Sequence, residues 1–149
     1  MRCVVQRSGP AQVLVDGEVT GSITRGLVVL AAFAAADSDA ELAWMARKLP
    51  RLRLFRDTED RMNLSLADTG GGILLVSQFT LYADCRKGQR PSFSGSAPPE
   101  QAARLYARFS GLLRAEWPEV AEGRFGAMME VSLVNDGPVT VILEREAEG

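Results

Sequence analysis

The sequence predicts an α+β fold, in which a curled antiparallel or mixed β-sheet, or a barrel, carries two main helices packed against it. About seven segments are rich in apolar and β-branched residues, which is typical of strands, and two segments repeat apolar residues at helical spacing. No linker, low-complexity tract or internal repeat interrupts the 149 residues. We therefore expect one domain spanning residues 1–149.

The N-terminal part carries the first strand signals. Residues 2–6 and 12–16 are apolar or β-branched, with Gly9-Pro10 between them. Asp16-Gly17 is typical of a hairpin turn, so residues 18–24 are expected to pair back on the preceding strand.

Two helices are bounded by recognisable capping signals. Ser38 and Glu41 form a capping-box pattern that opens a helix over residues 39–49. The second helix is expected to begin at Pro98-Pro99, because proline suits the first helical turn, and to end before Pro118.

The remaining expected strands lie before, between and after these helices in the sequence. Asn135-Asp136-Gly137 is expected to join the last two strands as a hairpin turn, and the next residue is Pro138. Proline removes a donor from the strand ladder, and the bond before proline is the one that most readily adopts the cis form. The expected strands lie at residues 26–33, 52–55, 73–83, 127–134 and 138–144.

Composition excludes several classes of protein. The net charge is −2, which argues against a protein that grips long nucleic acid through its phosphates. No apolar run approaches the ~20 residues of a membrane span. Two cysteines, Cys3 and Cys85, do not suggest a disulfide framework. These features predict a cytoplasmic protein with no membrane association.

The chain contains no histidine. This excludes a Ser-His-Asp triad and a histidine-rich zinc site. Cys85 lies beside Arg86 and Lys87 but has no histidine to serve as its base, so we reject it as a nucleophile. The acidic run from Asp57 to Asp68 lacks the pattern of a calcium loop. We predict no metal and no cofactor.

Three uncharged polar residues, Ser77, Gln78 and Thr80, interrupt the apolar strand expected at 73–83. Burying such groups without partners destabilises a protein by about 1–3 kcal/mol each. They could satisfy backbone groups at a sheet edge or bulge. Alternatively, they could form a polar pocket that meets the carbonyl of a substrate. Thr80 has no base near it in sequence, so a positioning role suits it better than that of a nucleophile.

Four segments in this order resemble the D-aminoacyl-tRNA deacylase family. They are SQFTLYAD at 77–84, KGQRPSF at 87–93, GRFGAMM at 123–129 and NDGPVT at 135–140. VVQR and VDGE near the N-terminus extend the resemblance over nearly the whole chain.

The resemblance implies a homodimer with its active site at the subunit interface. It also implies hydrolysis of the ester that joins a D-amino acid, or glycine mischarged on tRNA-Ala, to the 3′ end of tRNA. Gly137-Pro138 would be the family's cis motif, reaching from one subunit into the other's site to reject L-amino acids. Arg7 would steady the carbonyl groups of that motif.

The resemblance implies roles for the other site residues as well. Ser77, Gln78 and Thr80, with the backbone amides around Phe79, would hold the ester, and Phe125 and Met129 would frame the terminal adenine. The ribose 2′-hydroxyl of the substrate would assist catalysis. Two alternatives remain: a non-catalytic module that binds an RNA end or nucleotide, and an esterase with Thr80 as nucleophile.

Overall fold

The computed structural model describes residues 1–149 and confirms the α+β class. A six-stranded mixed sheet curls into a nearly closed barrel, and a separate two-stranded sheet lies beside it. The strands are β1 (Arg2–Val15), β2 (Glu18–Ile23), β3 (Gly26–Ala32), β4 (Phe55–Arg56), β5 (Met62–Leu64), β6 (Gly72–Ser77), β7 (Val120–Glu122) and β8 (Glu130–Glu144). The helices are α1 (Asp39–Lys48), α2 (Leu66–Thr69) and α3 (Pro99–Glu116), with 3₁₀ helices at Leu49–Arg51 and Phe79–Tyr82.

The barrel follows the strand order β2-β1-β3-β6-β7 and returns from β7 towards β2. Pairing of β3 with β6 and of β6 with β7 is parallel, and the remaining pairs are antiparallel. At the closure, the Thr20 hydroxyl donates to the Glu122 carbonyl at 3.3 Å. A Cβ on Gly21 would lie 2.4 Å from the same carbonyl oxygen, so only glycine permits this approach.

Two of the predicted strand boundaries do not exist. The expected break at Gly9-Pro10 lies inside β1, which pairs with β8 along most of its length and absorbs the proline at register shifts between Gln6 and Ala11. The expected hairpin at 135–137 is likewise wrong, because residues 130–144 form one continuous strand. In both cases, long antiparallel pairing keeps the segment extended, and turn residues in the sequence carry no information about such pairing.

Helices α1 and α3 cover one side of the barrel. The capping box at Ser38 and Glu41 is confirmed, and α3 begins at Pro99 as predicted. Phe109 of α3 and Leu42 of α1 are fully buried in the main core, together with residues of β1, β3 and β6. A second cluster of six buried residues fills the opposite face of the sheet. None of the helices combines the length and apolarity that crossing a bilayer requires.

The middle of the chain also differs from the prediction. The strand expected at 73–83 ends at Ser77, and the 3₁₀ helix Phe79–Tyr82 follows it. Of the strand expected at 52–55, only Phe55 belongs to a strand, which it forms with Arg56. Strands β5 and β7 and the four-residue helix α2 were not predicted. Such short elements depend on tertiary pairing more than on their own residues.

Candidate active site

The SQFT segment forms a turn at the end of β6. The last ladder pair joins Ala31 to Ser77, and the Gln78 amide still donates to the Ala31 carbonyl at 2.8 Å. The chain then leaves the sheet as the 3₁₀ helix. Ser77 and Gln78 are half-buried, whereas Phe79 and Thr80 are exposed. The expectation of three polar groups buried within a strand is therefore wrong, because the strand ends before they would be enclosed.

This turn offers hydrogen-bond donors to a ligand. The first amides of a helix have no acceptor within that helix, and here they belong to Phe79 and Thr80. The Gln78 side-chain amide donates to the Thr80 hydroxyl oxygen, which orients the hydroxyl group. Gln78 is the only side chain that hydrogen-bonds to Thr80. The arrangement can hold an anionic or carbonyl oxygen, but it supplies no base to Thr80.

Phe79 lies under a loop that a short bridge closes. The amides and carbonyls of Asp84 and Ser92 pair at 2.7 and 2.9 Å. The Phe93 ring consequently meets the Phe79 ring edge to face, with the ring centroids 5.2 Å apart. The Phe79 side chain nevertheless remains 54% exposed, so it presents an apolar surface to solvent beside the amide pair.

Arg2 holds the far end of the 3₁₀ helix. Its guanidinium donates to the Leu81 carbonyl at 2.6 Å and lies 4.7 Å from the centroid of the Tyr82 ring. Burial raises the pKa of the Tyr82 hydroxyl to about 12, so this group stays protonated at neutral pH. Sequence reasoning missed Arg2 because the contact joins residues 79 positions apart.

The segment 123–129 starts beside the SQFT turn. The Gly123 amide donates to the Leu75 carbonyl at 3.0 Å, two residues before Ser77. Phe125 packs on the main core cluster, with its ring 5.5 Å from that of Tyr106. Met129 instead packs on the second cluster. The two residues predicted to frame an adenine are both half-buried, and they rest on different apolar clusters.

A partly buried polar network contains Tyr106, whose ring packs on Phe125, and sequence reasoning did not identify it. The Tyr106 hydroxyl donates to Glu122 at 2.8 Å, and Arg114 donates to the other oxygen of that carboxylate at 2.6 Å. Burial alone would raise the pKa of Glu122. Hydrogen bonds from Arg114, Tyr106 and Ser110 outweigh that effect and bring the pKa below its ordinary value. Burial and the bond to Glu122 raise the pKa of Tyr106 far above its ordinary range.

Gly137-Pro138 lies in the middle of β8, is exposed, and has a cis peptide bond. The buried Arg7 side chain holds this segment from β1: its Nε donates to the Asp136 carbonyl at 3.1 Å, and its Nη1 donates to the Leu54 carbonyl at 2.8 Å. A Cβ on Gly137 would lie 3.0 Å from the guanidinium. The Asn135 side chain accepts from the Val139 amide at 2.8 Å, and the register between β1 and β8 shifts here. Residues 135–139 therefore bulge out of β8, and we call this bulge the Gly137-Pro138 turn.

Within one chain, the predicted site residues form two separate groups. Ser77–Thr80 and Phe125 share one end of the barrel, near Arg2. Arg7, which contacts Asp136 beside Gly137-Pro138, lies five residues further along β1 than Arg2. At about 3.3 Å per residue, that separation is about 17 Å. No contact within the chain brings the Gly137-Pro138 turn to Thr80.

The barrel thus carries a turn whose helix-terminal amides and polar side chains can hold the carbonyl oxygen of an ester. The D-Tyr-tRNA(Tyr) deacylase family matches residues 4–144, and the chain belongs to this family. It is 57% identical to a D-aminoacyl-tRNA deacylase of Chlorobaculum parvum, over 97% of each chain. It is 54% identical to one of Brevibacillus brevis, over 97% of this chain and 99% of the relative.

Two solved structures share the fold. A c-Myc DNA Unwinding Element Binding Protein superposes with a TM-score of 0.93 at 41% identity, covering 99% of this chain and 100% of its own. A probable eukaryotic D-amino acid tRNA deacylase superposes with a TM-score of 0.83 at 21% identity, covering 95% and 97% of the two chains. The barrel with its packed helices is therefore a shared architecture.

Proposed function

We propose that this protein hydrolyses the ester of D-aminoacyl-tRNA, and of glycine mischarged on tRNA-Ala, releasing the amino acid and free tRNA. The observation that carries the proposal is the pair of helix-terminal amides at Phe79 and Thr80, beside the half-buried Ser77 and Gln78. Amides aimed at one point stabilise the oxyanion that forms when an ester carbonyl is attacked. The reaction uses no metal or cofactor, and its proposed location is the cytoplasm.

The proposed active unit is a homodimer with the site at the interface. Arg7, which holds the Gly137-Pro138 turn, lies about 17 Å along β1 from Arg2, which holds the SQFT turn, so in the proposal a second copy brings the two turns together. Strand β8 supports this proposal because it is a 15-residue edge strand, paired on one side with β1. Val134 and Ile142 on this strand are 58% and 64% exposed. Long edges of this kind are usually covered.

Gly137-Pro138 acts in the proposal as a Gly-cisPro motif that selects by handedness. Its carbonyl groups occupy the direction in which the side chain of an L-amino acid would project. The side chain of a D-amino acid points away from them, and glycine has none. A site that rejects a group by steric exclusion cannot reject a substrate that lacks the group, which accounts for glycine as a substrate.

The proposed chemistry uses water and the substrate's own ribose. Water attacks the ester carbonyl carbon, and the Phe79 and Thr80 amides hold the oxygen that becomes negative. The bond to the ribose 3′-oxygen breaks, and the proton lost by the attacking water passes through the neighbouring 2′-hydroxyl to that oxygen. Gln78 keeps Thr80 in a positioning role. Phe125 and Met129 frame the terminal adenine through apolar contact and stacking.

The decisive experiment compares the D and L forms of one aminoacyl-tRNA. Release of the D-amino acid with the L form spared supports the proposal, and equal hydrolysis of both contradicts it. Tight binding without turnover would indicate a non-catalytic module for an RNA end.

Two further measurements separate the mechanisms. Complete loss of activity in Thr80→Ala would favour a threonine nucleophile, and substantial retained activity would exclude one. Undiminished turnover of a substrate that ends in 2′-deoxyadenosine would exclude assistance by the 2′-hydroxyl.

A further inference from the structure

The segment 47–56, which runs from the end of α1 to β4, carries five cations and no acidic residue in a chain of net charge −2. Arg47, Lys48, Arg53 and Arg56 form no ion pair with a carboxylate. Arg51 is paired with Glu116 at 3.0 Å. The concentration of unpaired positive charge in one exposed segment is therefore a local feature of this surface.

Four of these five cations line a groove with a volume of about 480 Å³, which we call the basic groove. It is lined by Trp44, Arg47, Lys48, Arg51, Leu52 and Arg53, with no carboxylate among them. Trp44 forms an aromatic surface in it: the Lys48 ammonium lies 5.5 Å and the Arg145 guanidinium 5.3 Å from the ring centroid. A groove lined by cations and one aromatic ring suits the phosphate backbone of a nucleic acid.

Arg7 connects the basic groove to the Gly137-Pro138 turn. Its guanidinium donates at once to the Leu54 carbonyl, one residue beyond Arg53, and to the Asp136 carbonyl, one residue before Gly137. If the turn enters the site of a second copy, the segment 52–56 must go with it. The basic groove of one subunit then flanks the site that holds the aminoacyl end of the substrate in the other.

We infer that the basic groove binds the phosphate backbone of the tRNA acceptor stem while the aminoacyl end lies in the partner subunit's site. This inference rests on the proposed function and deepens it, because it says which surface holds the body of the substrate. The charge is local, so affinity for the substrate does not require a basic protein.

The test uses two substrates: a D-aminoacyl-tRNA and the matching D-aminoacyl-adenosine, which lacks phosphates. The variant is Arg47→Gln with Lys48→Gln, since both side chains are exposed and neither forms an ion pair. We expect KM for the tRNA substrate to rise about tenfold, and the salt dependence of log kcat/KM to fall by a slope of about two, because two phosphate contacts are lost. Turnover of D-aminoacyl-adenosine should not change.

Arg104→Gln is the matched control. Arg104 is exposed on α3 without a carboxylate partner, and it lies 12 residues before Glu116, about 18 Å along the helix. We expect this variant to keep the wild-type KM and salt slope.

Three outcomes would contradict the inference. If the double variant keeps the wild-type KM and salt slope for the tRNA substrate, the inference is overturned. An acidic protein surface would then be the occupant that the groove suits. Equal losses on both substrates would overturn it, because the effect would then act through the fold or the reacting end. No turnover of either substrate by the wild-type protein would overturn the proposed function itself.

Discussion

Replacement of Arg7 by lysine tests whether the Gly137-Pro138 turn controls substrate handedness. Arg7 is buried and serves two carbonyl groups with different nitrogens, those of Asp136 and Leu54. Lysine keeps the charge, but its single ammonium cannot match the planar fork of a guanidinium. One of the two carbonyls should therefore lose its donor.

The loss of this donor sets the expected size of the effects on stability and activity. A buried acceptor left without a donor destabilises the fold by about 1–3 kcal/mol. For a chain of this length, we expect Tm to fall by about 3–10 °C. A turn held from one side only should also vary in position, which weakens its steric exclusion of L substrates. We expect kcat/KM for the D substrate to fall by about tenfold and the D-to-L preference to fall by a larger factor.

The assay measures deacylation of paired D- and L-aminoacyl-tRNA at a temperature well below the Tm of the variant. Arg25→Lys is the control, since Arg25 donates to a single carbonyl, that of Thr69, at 2.7 Å. An Arg7→Lys protein that is less stable but keeps the wild-type D-to-L ratio would refute the positioning role. It would show that Arg7 only supports the fold.

Three further predictions concern stability and are checked by urea unfolding. Ser38→Ala should reduce the free energy of unfolding by about 1 kcal/mol, because it removes the capping box of α1; an unchanged value would contradict this. Gly111→Ala should raise it by about 0.5–1 kcal/mol, because an added Cβ in α3 meets no atom within 4 Å. The lowered pKa of Glu122 stabilises the fold above its ordinary value of 4.5, and the stabilisation is lost as pH falls through the folded-state pKa. Stability should therefore fall less between pH 6 and pH 3 in Glu122→Gln than in the wild type.

Local signals in the sequence predicted the helices and the Asp16-Gly17 hairpin well, but they predicted two strand boundaries that do not exist. The capping box at Ser38 and the prolines at 98 and 99 act within a single turn of helix, so neighbouring residues were sufficient. Gly9-Pro10 and Asn135-Asp136-Gly137 have the composition of turns, yet both lie inside long strands. Pairing between β1 and β8 supplies hydrogen bonds that outweigh local turn preference.

Part of the candidate site could likewise be predicted from the sequence, and part could not. Ser77, Gln78 and Thr80 were predicted from their polarity in an apolar context. The prediction that they share one strand was wrong, because Ser77 ends β6 and Thr80 lies in the 3₁₀ helix that follows. A contact of Arg7 with the Gly137-Pro138 segment was expected from the family resemblance alone. The Arg2 contact and the Tyr106–Glu122 bond could not be predicted from spacing, because they join different elements.

The sequence by itself determined the α+β class, the two long helices, the absence of histidine chemistry and the resemblance to one family. Each depends on residue type or short spacing. Only the tertiary structure decided that the SQFT segment leaves β6 as a 3₁₀ helix with two free amides, and that Gly137-Pro138 lies at a distance from it. The reason is physical: a strand continues only while a neighbour pairs with it, and β3 stops pairing with β6 at Ala31.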